Sequence, residues 1–454
     1  MMNLKTYTLL LALSVIVFQT KAQSQAKAQE TNPNSFSLQQ SIDYAYKNSP
    51  NYLNAENDVL MAKYKRKEVV GMALPQISTS VDIKNFLEIP TSLIPGAVFG
   101  APAGTFIPVK FGTTFQAQGT ASASLLVFSA DYLIGLKATK EMIGLMNINV
   151  TRSKTELVSQ VSKAYYSVLV NKERIKLLDA NITKLEKLLN ETRAFNQQGF
   201  VEQIDVDRLE VAFNNLTTEK QKIERLITLS ENVLKFQMGF TGKENLVLTD
   251  SLVVSDNSEN MDASKIDITK RSEYQMLESQ QRLNTINVKR LKFGYLPTLV
   301  AYGSLGYAGM RNDLDYFKRS HNWYPTALIG ATLSLNLFDG FQRHYKIQQA
   351  KLDFKKGENN LKNLQLAIEL ESAQSEVNYN NAVSTLQVQK RNMKLAENIY
   401  NVSEKKYEQG VGSNLEVINA QASLKESETN YFNAVYDMLV YKVDYLKATG
   451  SLVK

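Results

Sequence analysis

The sequence predicts an α+β membrane protein built from two internal repeats, each with two strands and one long helical hairpin. Three observations predict this class: landmarks recur in both halves, four segments alternate apolar and polar residues, and two long stretches keep a heptad pattern. The repeats are predicted at 23–240 and 271–449, and an irregular equatorial linker, 241–270, joins them.

The duplication rests on short matching stretches in the same order. LLVFSADY, at 125–132, is echoed by LNLFDGFQ at 335–342, and ALPQIS, at 73–78, by YLPTLV at 295–300. The glycine in FNQQGFVEQIDV is Gly199, and the first glycine in YEQGVGSNLEV is Gly410. They follow Phe128 and Phe338 by 71 and 72 residues, so each marks the same place in its repeat.

Residues 1–22 have the pattern of a secretory signal peptide, with Lys5 before an apolar run and Ala22 at the predicted cleavage point. The alternative, a retained N-terminal anchor, is disfavoured because the run is too short to span a bilayer. We therefore expect an exported chain. Its lack of cysteine excludes disulfides, thiolate chemistry and a cysteine-linked lipid anchor.

Composition also bears on chemistry and partners. The net charge of +7 is spread with acids and bases interleaved, which favours solvated helix faces over nucleic-acid binding. The two histidines, His321 and His344, are predicted to be surface residues, so neither a metal site nor a cofactor is expected. A catalytic triad and a cofactor-type glycine loop are both missing from the sequence, so an enzyme is the weakest hypothesis.

The strands are predicted around 76–87, 114–128, 297–309 and 326–338. From Phe115 to Val127 the odd positions are apolar and the even positions polar, the period of a sheet with two different faces. A transmembrane β-barrel has this pattern, and half of a soluble sandwich is the alternative. Four strands cannot close a barrel, whereas three copies of the chain would supply twelve.

The helical hairpins are predicted at 129–238, with the tip at 199, and at 340–448, with the tip at 410. Apolar residues recur every seven positions, for example at Val161 and Val168, and a helix over 129–198 would be about 105 Å long. A coiled-coil spacer without a pore would explain these helices equally well, but not the strands. Pro50 should break the first helix near Ser49, and loops are predicted at 88–112 and 311–324.

These features together resemble the TolC family of outer-membrane efflux channels. The resemblance rests on the duplicated halves, the LPQIS and LPTLV strand entries, the FDG turn at 338–340 and the paired tips. It implies a homotrimer in which a 12-stranded β-barrel in the outer membrane continues into a periplasmic α-helical barrel.

The implied function is passive export of small toxic compounds, with a periplasmic membrane-fusion adaptor, an inner-membrane pump and outer-membrane lipid as partners. Two alternatives remain open from the sequence. One is an outlet for type I protein secretion with the same fold, and the other is a periplasmic coiled-coil adaptor that forms no channel.

By resemblance, the hairpin tips dock the adaptor, since the family carries a glycine between apolar residues there. Glycine permits a tight bend, and an exposed apolar neighbour is a plausible anchor for a partner. The alternative is turn chemistry without docking. The predicted docking residues are Gln198, Gly199, Phe200, Gln409, Gly410 and Val411.

The resemblance also implies a periplasmic gate just beyond the tips. Carried over by distance from the tip glycines, its positions fall on Asp205, Tyr407, Glu416 and Asn419, and an arginine that locks the gate in a relative falls on Gly412. Three copies of Glu416 around one axis would repel each other and attract cations. Alternatively, Asp205 and Glu416 are acids that favour the start of a helix.

Overall fold

The computed structural model describes residues 35–242, 244–252, 267–316 and 322–453. The predicted signal peptide, part of the predicted linker and His321 lie outside the described residues. The helices are α1 (Leu38–Asn48), α2 (Pro50–Gly71), α3 (Ala130–Gln197), α4 (Gln203–Met238), α5 (Ser272–Phe293), α6 (Gln342–Glu408) and α7 (Asn414–Ala448). The strands are β1 (Ser35–Phe36), β2 (Gln76–Asn85), β3 (Thr91–Pro95), β4 (Phe106–Lys110), β5 (Phe115–Phe128), β6 (Val247–Leu248), β7 (Thr298–Arg311) and β8 (Tyr324–Ser334).

The chain divides by its internal contacts into two units. The helical unit takes in the described parts of Met1–Leu53, Lys154–Lys265 and Ser372–Lys454. The strand unit takes in the described parts of Asn54–Ser153 and Ile266–Glu371. Each unit therefore combines segments from both sequence repeats, because the long helices α3 and α6 contribute to both.

The strand unit contains a four-stranded antiparallel sheet in the order β2-β5-β7-β8. Its register places odd-numbered residues opposite odd-numbered residues over almost its whole length, for example Ile77 opposite Ala123 and Gly303 opposite Ile329. The odd-numbered positions of the four strands, which are mostly apolar, therefore share one face. That face is open in a single chain, where Ile77 and Ile329 are 77% and 92% exposed.

The segment 88–112 was predicted to be a loop, and this is wrong in part. It contains the hairpin β3–β4, whose register runs from Thr91 opposite Lys110 to Pro95 opposite Phe106. Four prolines and four glycines between 90 and 112 favour irregular backbone and obscure the short alternating runs that form the pair. The last strand also differs, since β8 ends at Ser334 rather than at 338.

The helical unit has its core along the heptad positions. Val161 and Val168 of α3 and Val417 of α7 are fully buried. The break at Pro50 is present, since α1 ends at Asn48 and Ser49 is extended with ψ 119°. Asp250, in the predicted linker, accepts hydrogen bonds from the Tyr165 hydroxyl at 2.9 Å and the Leu38 amide at 2.8 Å, so this part of the linker is bound to α3 and α1.

In the described part of the chain, every helix falls short of the combined length and apolar character needed to cross a membrane.

Candidate functional site

The two hairpin tips have the same local structure. In the first, the Phe200 amide donates to the Phe195 carbonyl and the Gly199 amide to the Asn196 carbonyl; in the second, Val411 donates to Lys406 and Gly410 to Tyr407. In each tip, one bond joins residues five positions apart and the other joins residues three positions apart. This pair of bonds is typical of a helix C-terminus that is closed by a residue in the left-handed conformation. Gly199 has φ +81° and Gly410 φ +74°, which explains why glycine stands at both positions.

The residue after each tip glycine has an apolar side chain that is exposed to solvent. Phe200 is 74% exposed and Val411 75% exposed, and the Phe200 ring is edge-on to Phe195 with 6.5 Å between centroids. Gln198 and Gln409, which precede the glycines, are also exposed. The turns therefore present apolar surface instead of burying it.

The predicted gate acids lie in the first turns of the helices that leave the tips. Asp205 is in the first turn of α4, where Arg208 is its ion-pair partner at 3.7 Å, and Glu416 is in the first turn of α7. The Ser413 hydroxyl accepts from the Glu416 amide at 3.2 Å and caps α7. Their placement fits the alternative that these acids stabilise helix starts. Glu416 and Asn419 are both exposed.

Two hydrogen bonds near the tips connect the hairpins. The Tyr407 hydroxyl of α6 lies 3.2 Å from the Thr192 hydroxyl of α3, and Thr192 is fully buried. The side-chain amide of Asn414, at the start of α7, donates to the backbone carbonyl of Asp205 at 2.7 Å. Thr192 and Asn414 were missed by the sequence analysis, since each works through a partner more than 200 residues away.

A groove of about 590 Å³ lies between the hairpins at this end of the helical unit. It brings together four of the predicted site residues, Phe200, Asp205, Tyr407 and Gly410. Gln198, Gly199, Gln409, Val411, Glu416 and Asn419 do not line it. The rest of its wall is formed by Leu188, Glu191, Phe195, Val201, Arg208, Glu408, Gly412, Ser413, Asn414 and Leu415.

Gly412 is glycine for a steric reason. A Cβ built on it would lie 2.8 Å from the Lys406 Cβ and 3.0 Å from the Tyr407 amide nitrogen, while its own amide donates to the Lys406 carbonyl at 3.0 Å. An arginine at this position would need the end of α6 to move. The backbone at Gly412 is therefore packed closely against residues 406 and 407 at the end of α6.

A buried acid lies further along α7. Glu428 accepts two hydrogen bonds from the Asn181 amide of α3, at 2.9 and 2.8 Å. Burial raises the pKa of Glu428, and Glu397 adds to the rise, while Asn181, Lys184 and Arg174 oppose it. The folded protein therefore keeps this carboxyl protonated to a higher pH than the unfolded chain does.

This shift has a consequence for stability. Between the ordinary carboxyl pKa and the raised folded pKa, the folded state binds more protons than the unfolded state, so stability falls as the pH rises through this window. We expect Glu428→Gln to be more stable than wild type at about pH 8 and to lose that advantage towards about pH 4. Denaturant titrations at both pH values measure this, with the exposed Glu426→Gln as a matched control.

The opposite result for Glu428→Gln is also informative. If the variant is less stable than wild type at about pH 8, the ionised carboxylate with its Asn181 bonds stabilises the fold, and the burial cost is not dominant.

Within residues 35–242, 244–252, 267–316 and 322–453, no group of three or more His, Cys, Asp or Glu side chains has a geometry that could hold a metal ion. His344 is exposed.

Comparison with known proteins agrees with this architecture. Residues 272–451 match the sequence profile of the family described as outer membrane efflux protein. The outer membrane protein TolC of Vibrio cholerae is 20% identical over 65% of this chain and 68% of its own. The probable efflux pump outer membrane protein TtgC of Pseudomonas putida is 21% identical over 65% of this chain and 60% of its own, so the match to TtgC spans less than two thirds of that relative.

The fold is similar to that of solved outer-membrane channels. The CmeC outer membrane channel of Campylobacter jejuni has a TM-score of 0.71 at 16% identity, over 91% of this chain and 85% of its own. The four-stranded sheet and the long helices thus share the fold of solved outer-membrane efflux channels. In sequence the chain is similar to TolC-like outer-membrane efflux proteins, as the match over residues 272–451 and the relatives at 20–21% identity indicate.

Proposed function

We propose that three copies of the chain form a passive outer-membrane conduit of a tripartite efflux system. The observation that carries this proposal is the four-stranded sheet, which has one exposed apolar face and two unpaired edges, β2 and β8. Lipid can cover the apolar face, but unpaired backbone edges are not tolerated in a membrane. If the edge strands of neighbouring copies pair, no backbone edge stays unpaired and the apolar face can still meet lipid. Three copies supply twelve strands for such a barrel.

The helices support the same assembly. Large apolar side chains stay exposed on α6 at intervals of seven residues, at Val388, Leu395 and Val402. Such a heptad seam packs against another helix. In a trimer the next copy would cover this seam, and the hairpins would form the helical barrel.

The tips are the proposed docking points for the adaptor. Phe200 and Val411 supply exposed apolar anchors on hydrogen-bonded turns, and the groove that Phe200 and Gly410 line carries both apolar and charged side chains. Partners of this kind bury aromatic and aliphatic anchors in pockets. Six such tips would surround one mouth in a trimer. An inner-membrane pump would then supply the driving force.

The proposed substrates are small toxic compounds. A relative is named for toluene efflux and another for antibiotic efflux, both in Pseudomonas putida. The chain itself requires no chemistry for this task, because a conduit acts by exclusion and electrostatics.

The proposal is tested on protein purified from outer membranes. We expect it to resist washes with salt and urea, to require detergent for extraction and to open pores in a planar bilayer. Photo-crosslinkers at Phe200 and Val411 should capture the co-expressed adaptor, whereas one at the exposed Lys355 of α6 should not. Release of the protein by urea alone would instead indicate a coiled-coil adaptor without a pore.

The proposed gate gives a separate prediction. Three Glu416 carboxylates around one mouth would attract cations, so Glu416→Gln should lower the cation preference measured as a reversal potential in a salt gradient. The matched control is Glu426→Gln, an exposed acid ten residues along the same helix. An unchanged reversal potential in Glu416→Gln would leave Glu416 with its role at the start of α7 only.

A further inference from the structure

A second cavity, of about 620 Å³, lies in the strand unit where strands meet helices. The ends of three helix–strand connections form it: β5 to α3, α5 to β7, and β8 to α6. The register shows that these strand ends lie side by side at one end of the sheet, since Thr298 is opposite Ser334 and Leu299 is opposite Phe128. If the sheet spans the outer membrane, this end of the sheet marks the periplasmic boundary of the bilayer.

The charged side chains in the cavity leave a net positive charge. Arg290 donates to Asp131 at 3.0 Å, so this pair is neutral. Arg343 and Lys346 have no acidic partner within 4.0 Å in the described chain, although Asp339 also lines the cavity and accepts from the Arg343 amide at 3.1 Å. Counting all five side chains, the lining carries one excess positive charge.

The Arg343 guanidinium is held in place by neighbours that are not anions. It lies over the Tyr295 ring at 4.9 Å from the centroid, and 3.6 Å from the point where Gly294 would carry a Cβ. A stacked guanidinium keeps its N–H groups free at the edge of the plane, which suits an anion with two adjacent oxygens. The cavity therefore presents a positioned guanidinium that can donate hydrogen bonds to an anion.

Three exposed aromatic residues lie within five positions of Arg343 in the sequence, where β8 leads into α6. Phe338 and Phe341 form an edge-on pair at 5.4 Å, and with Tyr345 they remain largely exposed. Phe341 has φ +63°, and it is the one non-glycine residue with positive φ in the described chain. That left-handed conformation is unfavourable for a bulky side chain, and the Phe341 ring is exposed. Exposed aromatics next to cations are typical of a membrane–water interface.

We propose that this cavity binds the phosphodiester headgroup of a phospholipid in the periplasmic leaflet, with Arg343 and Lys346 as the phosphate ligands and Phe338, Phe341 and Tyr345 against the acyl chains. The single negative charge of a phosphodiester matches the single excess positive charge of the lining. The inference rests on the proposed function, because it places the sheet in the outer membrane.

The test uses full-length protein in detergent and native mass spectrometry with added phosphatidylglycerol. We expect wild type to retain the lipid and the double variant Arg343→Gln/Lys346→Gln to lose at least tenfold in affinity. The charge-matched control, Lys351→Gln/Lys355→Gln, removes two exposed lysines further along α6 and should bind as wild type does. Diacylglycerol, which has the same chains without the phosphate, should not be retained.

Specific outcomes would overturn the inference. Equal retention by the two double variants would show that Arg343 and Lys346 are not the ligands. Displacement of the lipid by millimolar inorganic phosphate would show that the cavity selects free phosphate. If the lipid bound only to monomers, another copy of the chain would cover the cavity in the assembly. Planar-bilayer conductance of the same samples separates this failure from failure of the channel proposal.

Discussion

Replacing Gly239 with alanine is expected to lower the free energy of unfolding by about 2–4 kcal/mol. Gly239 ends α4 with φ +69°, and the Phe240 amide donates to the Lys235 carbonyl at 2.8 Å across it. A Cβ there would collide with the Asn48 carbonyl oxygen and lie 2.7 Å from its carbon. Because both atoms are backbone at the break between α1 and α2, neither can rotate away.

Gly199 provides the matched control for this prediction. It has φ +81°, so alanine there meets the same backbone strain, but its Cβ would have nothing within 4 Å. Gly199→Ala should therefore cost only about 1 kcal/mol. Denaturant unfolding followed by far-ultraviolet circular dichroism compares the two variants in one detergent. Equal losses would mean that the contact between α4 and the α1–α2 break does not constrain the fold.

The positions of the two tips could be predicted from the duplication, but the hydrogen bonds that connect the two hairpins could not. Gly199 and Gly410 could be located from sequence because a helix terminus with a left-handed residue has a local signature. The bonds from Tyr407 to Thr192 and from Asn414 to Asp205 join residues 215 and 209 positions apart. Such pairs depend on the register between two long helices, and one sequence alone does not determine that register.

In the strand unit, too, some features could be predicted from the sequence and others could not. Alternation from Phe115 to Val127 predicted a two-faced strand, because a side chain's face depends only on its position in its own strand. The hairpin β3–β4 was missed, because its short strands lie among prolines and glycines, which favour turns locally. The cavity at Arg343 was missed for another reason: Arg290, Asp131 and Arg343 come from three separate segments that meet only when the sheet forms.

Replacing Tyr407 with phenylalanine is expected to open the proposed channel. The substitution removes the hydroxyl that lies 3.2 Å from Thr192, and it leaves the buried Thr192 hydroxyl without this partner. The loss is about 1 kcal/mol in each copy. If three copies hold one mouth closed, the closed state loses about 3 kcal/mol, which shifts the closed-to-open ratio by about a hundredfold.

Planar-bilayer recording measures this shift as higher mean conductance at the same protein concentration. Tyr400→Phe is the control, since the Tyr400 hydroxyl donates to Glu404 at 3.2 Å, so its loss breaks a bond inside α6 alone among the described residues. Thr192→Val removes the other half of the bond between α3 and α6. The double variant Tyr407→Phe/Thr192→Val should be no more open than either single variant, because each alone has already lost the interaction. Additive increases in conductance would show that the two side chains act separately, and the bond between them would then have no part in closing the mouth.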